Sequence, residues 1–160
     1  MGDQEMRLLF PVAGLAVMAM ARLAMADSDV ILTTTVNDVT RSFTLEELQA
    51  LPVERFETIT IWTEGPQSFE GVPLAAMLDD LGVTEGTVSA QAINDYAVDI
   101  PIDEITETTP IIAYHQNGAS MSRRDKGPLW IVYPYDSKPE FQSEAIYSRS
   151  IWQMDRLSVK

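Results

Sequence analysis

The chain has 160 residues, 24 of them Asp or Glu against 11 Lys or Arg, for a formal net charge of −13, and it has no cysteine. That length fits one domain, and that charge repels nucleic acid and anionic lipid. The missing cysteine excludes thiol nucleophiles, Cys-ligated zinc, iron–sulfur clusters and disulfides, so an exported domain of this sequence must hold together by packing alone.

Residues 8–21 form an apolar run, "LLFPVAGLAVMAMA", and Ala24-Met25-Ala26 is a small-residue cleavage site followed by polar residues from Asp27. This is the pattern of a secretory signal peptide over 1–26, although Asp3 and Glu5 offset Arg7 in its n-region. The rival is an uncleaved anchor, for which the run is short, since a span takes about 20 apolar residues. The expectation is a single domain over 27–160 in a periplasmic or secreted protein. Charge is uneven within it. Residues 27–122 hold 2 Lys/Arg and 17 Asp/Glu, whereas 123–160 hold 7 and 5. An anionic ligand is therefore to be met by the last part of the chain.

"VILTTTV" (30–36) and "VTRSF" (39–43) read as two strands joined by an Asn37-Asp38 turn. Thr44 with Glu47 makes a capping box, predicting a short helix to about Leu51 that stops before Pro52. "FETITIW" (56–62) alternates like a strand. In "FEGVPLAAMLDDLGV" (69–83) Pro73 suits a first helical turn and Gly82 the position after the last. Between them Leu74, Met77, Leu78 and Leu81 share one helical face. Asp79 and Asp80 lie off that face and read as solvated, not as an acid–base pair. "TVSAQAI" (87–93) and "YAVDIPI" (96–102) read as strands about an Asn94-Asp95 turn, with "DEITETTP" as an irregular crossover. "IIAYHQ" (111–116) and "PLWIVYP" (128–134) are continuous enough in apolar residues to be buried strands. A mixed stretch follows, holding at most a turn of helix, and "DRLSVK" closes the chain as a strand. Strands interleaved with short helices, without regular βαβ units, give an α+β class with a mixed sheet.

His115 is the only histidine, so catalytic triads and HExxH zinc sites lack partners, and no G-x-S-x-G elbow, calcium loop or Gly-rich phosphate loop occurs. A lone histidine at a strand end is more often a structural residue. The loop Ser122-Arg123-Arg124-Asp125-Lys126-Gly127 stands out. Two guanidinium forks, a lysine and an open backbone suit phosphate or carboxylate. The plainer alternative is that these charges pair with the acidic surface, which contributes little.

Three blocks carry a resemblance. "FEGVPLAAML" (69–78) is similar to the W-x-G-V-P-L-x-x-L-L segment of the sulfite oxidase-like molybdopterin-binding family. "IIAYHQNGASMSRRDKGPLWIVYP" (111–134) resembles its L-L-A-Y-x-x-N-G block running to P-L-R-x-V-x-P, and "SRSIWQMDRLSV" (148–159) resembles its closing block. The resemblance implies that fold and a pyranopterin cofactor, molybdopterin, whose phosphate needs cationic and amide donors. Arg123, Arg124 and Arg149 would then face the anionic ligand, with Asn117 and Gly118 shaping the turn beside it. Lys126 in the same loop, His115 at the end of the strand before it, and Trp62 across the pocket complete the candidate cofactor-binding set.

Departures accompany the resemblance. The family's molybdenum-ligating cysteine, ahead of the G-V-P-L block, has no counterpart in "TITIWTEGPQSF" (58–69), and a hydroxyl such as Thr63 is a poor substitute for a soft thiolate. Ile151 stands for the lysine of the closing block and Trp130 for the arginine after P-L. The expectation is thus an exported binder of a pterin or other anionic small molecule, without standard oxidase catalysis. Its alternative is a non-catalytic periplasmic interaction or sensory module, working with a membrane-bound redox or signalling protein.

Overall fold

The computed structural model describes residues 29–160. The signal-peptide and anchor readings of 1–26 lie outside the described residues. Strands β1 (Val30–Val36) and β2 (Val39–Thr44) form a hairpin whose turn residues, Asn37 and Asp38, both take positive φ, as a tight primed turn requires. The final strand β10 (Met154–Val159) inserts parallel to β1 and antiparallel to β5 (Thr87–Ala92), which pairs in turn with β6 (Ala97–Pro101). The result is a mixed five-stranded sheet, β2-β1-β10-β5-β6. A second sheet runs β3 (Glu54–Ile59), β4 (Pro66–Pro73) and β7 (Ile111–Gln116), with β8 (Ala119–Ser120) and β9 (Trp130–Val132) sharing the far edge of β7.

Sequence pattern explains most of this. On β1 Leu32 and Thr34 point inward between half-exposed neighbours, the period-2 burial of a half-exposed strand, whereas on central β5 Val88, Ser89 and Ala90 are all buried. β7 and β9, apolar without alternation, are buried in their apolar stretch on both faces. One continuous core joins the sheets, from Leu32 and Phe43 through Leu74 and Met77 to Ile112 and Trp130.

Helix α1 (Leu45–Gln49) starts at the expected capping box. The Glu47 amide donates to Thr44 Oγ1 at 3.2 Å, and the Thr44 amide donates to Glu47 Oε2 at 2.8 Å. Helix α2 (Leu74–Asp80) ends in a Schellman pair, Val83 N to Leu78 O and Gly82 N to Asp79 O. The third helix, α3 (Glu144–Arg149), is capped by Ser143. No helix among the described residues is long and apolar enough to cross a membrane.

β9 covers only Trp130–Val132 of the strand expected over 128–134, and two further boundaries differ from expectation. Phe69–Val72, expected to lead directly into the helix, lie in β4, and Pro73 is the cap. Here Gly71 is needed for close approach, because a Cβ would stand 2.1 Å from the Ile112 carbonyl oxygen. Secondly, β3 ends at Ile59, not Trp62. Thr60 Oγ1 accepts from the Trp62 amide at 3.1 Å and meets Thr63 Oγ1 at 2.6 Å. These local hydroxyl bonds compete with the ladder and turn the chain away.

Candidate functional site

The basic loop leaves the second sheet through a tight turn. Asn117 and Gly118 have φ of 52° and 79°. Asn117 Oδ1 accepts from the Ser68 amide at 3.0 Å, and its Nδ2 donates to Gln67 Oε1 at 2.8 Å. The hairpin is thereby tied to the start of β4. Beyond β8 the amides of Asp125 and Gly127 both donate to the Ser122 carbonyl. Gly127 is buried against Met121, whose carbonyl oxygen a Cβ would meet at 1.9 Å, so no other residue closes this loop.

Gln153 holds the loop from beneath. Its amide donates to Lys126 O at 2.9 Å, and its Nε2 donates to Arg123 O at 2.7 Å. To make both bonds Gln153 adopts a φ of 53°, uncommon for a residue with a side chain. The Lys126 ammonium lies 5.5 Å from the Trp130 ring centre and 5.3 Å from that of Trp152, within cation–π range.

Nine Lys/Arg residues fall within the described part of the chain. Six of them, Arg41, Arg55, Lys126, Arg149, Arg156 and Lys160, have a carboxylate within 4.0 Å. The other three, Lys138, Arg123 and Arg124, pair with no carboxylate among the described residues; Lys138 stands over the Phe141 ring, whereas Arg123 and Arg124, both exposed, share one loop. In so acidic a protein, two unpaired guanidinium groups on consecutive residues are a concentrated anion-attracting feature. The surface-pairing alternative is not what these two side chains do.

Trp62 sits at the middle of an aromatic cluster. Its ring lies 5.9 Å from Trp130, 5.8 Å from Tyr135, 5.7 Å from Tyr147 and 5.6 Å from Trp152, each contact edge-on, the geometry ring quadrupoles favour. Tyr135 donates its hydroxyl to Ser150 Oγ at 2.7 Å, and the Trp130 indole donates to Ser150 O at 3.2 Å. Burial raises the Tyr135 phenol well above its ordinary value. Trp62 thus fills space by ring packing and touches the loop only through Trp130 and Trp152, which Lys126 covers.

The remaining candidates have partners of their own. Arg149 is held by Glu104 and stands beside Tyr133. That arginine lowers the Glu104 carboxyl below its usual range, while burial pushes the Tyr133 phenol up to about 12. The Arg149 charge is therefore met within the chain. His115 Nδ1 lies 3.6 Å from Glu70, and its ring meets Tyr114 edge-on. Glu70 also binds Arg55, whose hydrogen bond holds the carboxyl below its usual range. A register shift between Glu70 and Gly71 leaves Tyr114 without a β4 partner, so Tyr114 and His115 gather about one carboxylate.

The sequence reading passed over Trp152, Tyr147 and Gln153. Trp152 and Gln153 also line a cleft of about 210 Å³ with Ala92, Asn94, Tyr96, Ser148, Ser150 and Ile151. A larger hollow of about 580 Å³ lies at the other end of the first sheet, by Asn37 and Gly82–Gly86, where Lys160 is the only cation in the lining. Nothing chemically specific converges there.

The fold and loop define a mixed-sheet α+β domain with a cationic, aromatic-backed corner. The chain belongs to the oxidoreductase molybdopterin-binding domain family, whose match covers residues 32–136. That span runs from within β1 through β9 and holds the whole basic loop, while the closing block at 148–159 lies beyond it. No curated protein matches the chain.

The residues divide sharply on the cofactor the family name implies. Arg123 and Arg124 suit an anionic group, while Lys126 in the same loop is paired with Asp125. The segment that carries the metal-ligating thiolate in the resembling family here carries Thr60 and Thr63, hydroxyls bonded to one another, and Trp62, packed among four rings. Among the described residues no three His, Cys, Asp or Glu groups gather to hold a metal. The donor set does not fit a thiolate-ligated molybdenum centre.

Proposed function

We propose that this chain is a binding member of its family. It would be exported to the periplasm or cell exterior and would hold an anionic small molecule, a pterin or another, at the Arg123–Lys126 loop. No thiolate–molybdenum redox step is assigned to it. The observation that carries this reading is the pair of guanidinium groups left without carboxylate partners on a loop fixed by Gly127 and Gln153. A rigid loop presents its forks without losing much chain entropy on binding. Export rests on the Ala24-Met25-Ala26 pattern after the apolar run.

A second reading has one observation in its favour. Ile59 and Ile61 are 50% and 62% exposed at the end of β3, and exposed apolar groups in a cluster mark contact surfaces. On that reading the domain is an interaction module for a membrane-bound redox or signalling protein. Cofactor analysis separates these readings from catalysis. Protein purified from its exporting host is expected to carry no stoichiometric molybdenum by elemental analysis, and stoichiometric metal would contradict the proposal. Anion binding lost on charge reversal of the loop supports the binder, whereas unaltered binding favours the module.

A further inference from the structure

We infer that the cleft between Tyr96 and Trp152 and the cationic loop form one site, shaped for a planar aromatic ring bearing a carboxylate. The inference rests on the anion-binding reading above and narrows its ligand. Three observations carry it.

First, the two large side chains lining the cleft are open to solvent. Tyr96 is 58% exposed and Trp152 is 36% exposed. Trp152 already meets Trp62, Trp130 and the Lys126 ammonium, and its remaining open surface together with Tyr96 offers an incoming ring the contacts aromatic pairs prefer. Second, Gln153 joins the cleft to the loop. Its carbonyl accepts from Ile93, next to the Asn94–Tyr96 turn, at 2.9 Å. Its amide and side chain hold Lys126 O and Arg123 O on the other side. The residue making all three bonds is the one held at φ 53°, and backbone strain of this kind gathers where function fixes the geometry. Third, the cleft, at about 210 Å³, is smaller than the roughly 300–1,000 Å³ of sites that enclose a drug-sized ligand. One ring fits; the lining itself holds no cation, so an acid group on that ring is left to the guanidinium forks of the loop that Gln153 ties to the cleft, which match a carboxylate in two hydrogen bonds. Asn94 and Ser148 at the rim supply polar contacts for ring substituents.

The test uses benzoate, cyclohexanecarboxylate and acetate, titrated separately into the exported protein at low salt and followed by NMR chemical-shift changes. Benzoate is expected to bind about tenfold more tightly than acetate and more tightly than cyclohexanecarboxylate, which has the same charge but no planar ring. Tyr96→Ala removes no core contact and is expected to abolish that advantage while leaving acetate affinity unchanged. Arg123→Glu with Arg124→Glu is expected to weaken all three. If benzoate binds no better than acetate, or keeps its advantage in Tyr96→Ala, the ring site is wrong while the loop reading stands. If none of the three binds, both fail.

Discussion

Gln153 shows how one residue can decide the shape of a site. Its left-handed backbone costs roughly 1–2 kcal/mol for any residue but glycine, and it persists because three hydrogen bonds converge on it. Replacement by alanine keeps the strain and loses the bond to Arg123 O, so Gln153→Ala should destabilise by about 1 kcal/mol. Gln153→Gly loses the same bond but relieves the strain, and should fall close to wild type. Urea denaturation of both variants checks the order. Nothing in "SIWQM" announces this, because a glutamine carries no signal for positive φ. By contrast Asn117 and Gly118, with their turn chemistry, were legible, as was the concentration of charge at Arg123 and Arg124. The sequence could not show that Arg149 would be taken by Glu104 or His115 by Glu70, since both pairs join residues far apart along the chain.

Elements were legible where local chemistry rules them. The Thr44–Glu47 box and the apolar face of α2 stand as expected. Thr44→Ala should cost about 1 kcal/mol by loss of the cap, measurable as a lower urea midpoint with unchanged slope. The end of β3 was not legible: β-branched residues continue to Ile61, yet the Thr60 hydroxyl wins over strand propensity. That turn places Trp62 in the ring cluster. A wholly buried Trp truncated to Ala costs about 3–5 kcal/mol, and for this half-buried ring the expected loss is about 2–4 kcal/mol. Trp62→Ala should also diminish the near-ultraviolet circular dichroism, because four edge-on partners lose their common neighbour.

At the scale of the whole molecule, charge sets the behaviour. A net of −13 is self-repulsive, so added salt should raise the thermal midpoint at neutral pH by screening. The same salt should weaken anion binding at the loop. The two opposed trends, from one titration, separate global charge from local charge. Acid acts on the pairs Glu70–Arg55 and Glu104–Arg149. Both carboxyls are lowered in the folded chain, so their contribution is present above the ordinary glutamate value and is lost as pH falls through the depressed folded one. Stability followed from pH 6 downward should therefore decline below about 4.3, the unfolded glutamate range. At the alkaline end Tyr133 works with the opposite sign. Its raised value, about 12, means stability is lost between its ordinary 10.0 and that figure.

The claim on which the functional reading depends is that Arg123 and Arg124 seat an anion without help from a metal. Isothermal titration of inorganic phosphate into the metal-free protein at low salt tests it, with wild type beside the double variant Arg123→Glu, Arg124→Glu. Charge-assisted hydrogen bonds of roughly 1.5–3 kcal/mol each predict binding that weakens at least about tenfold in the variant, with the urea midpoint unchanged. Equal affinity in the two proteins, or no binding to either, would contradict the account.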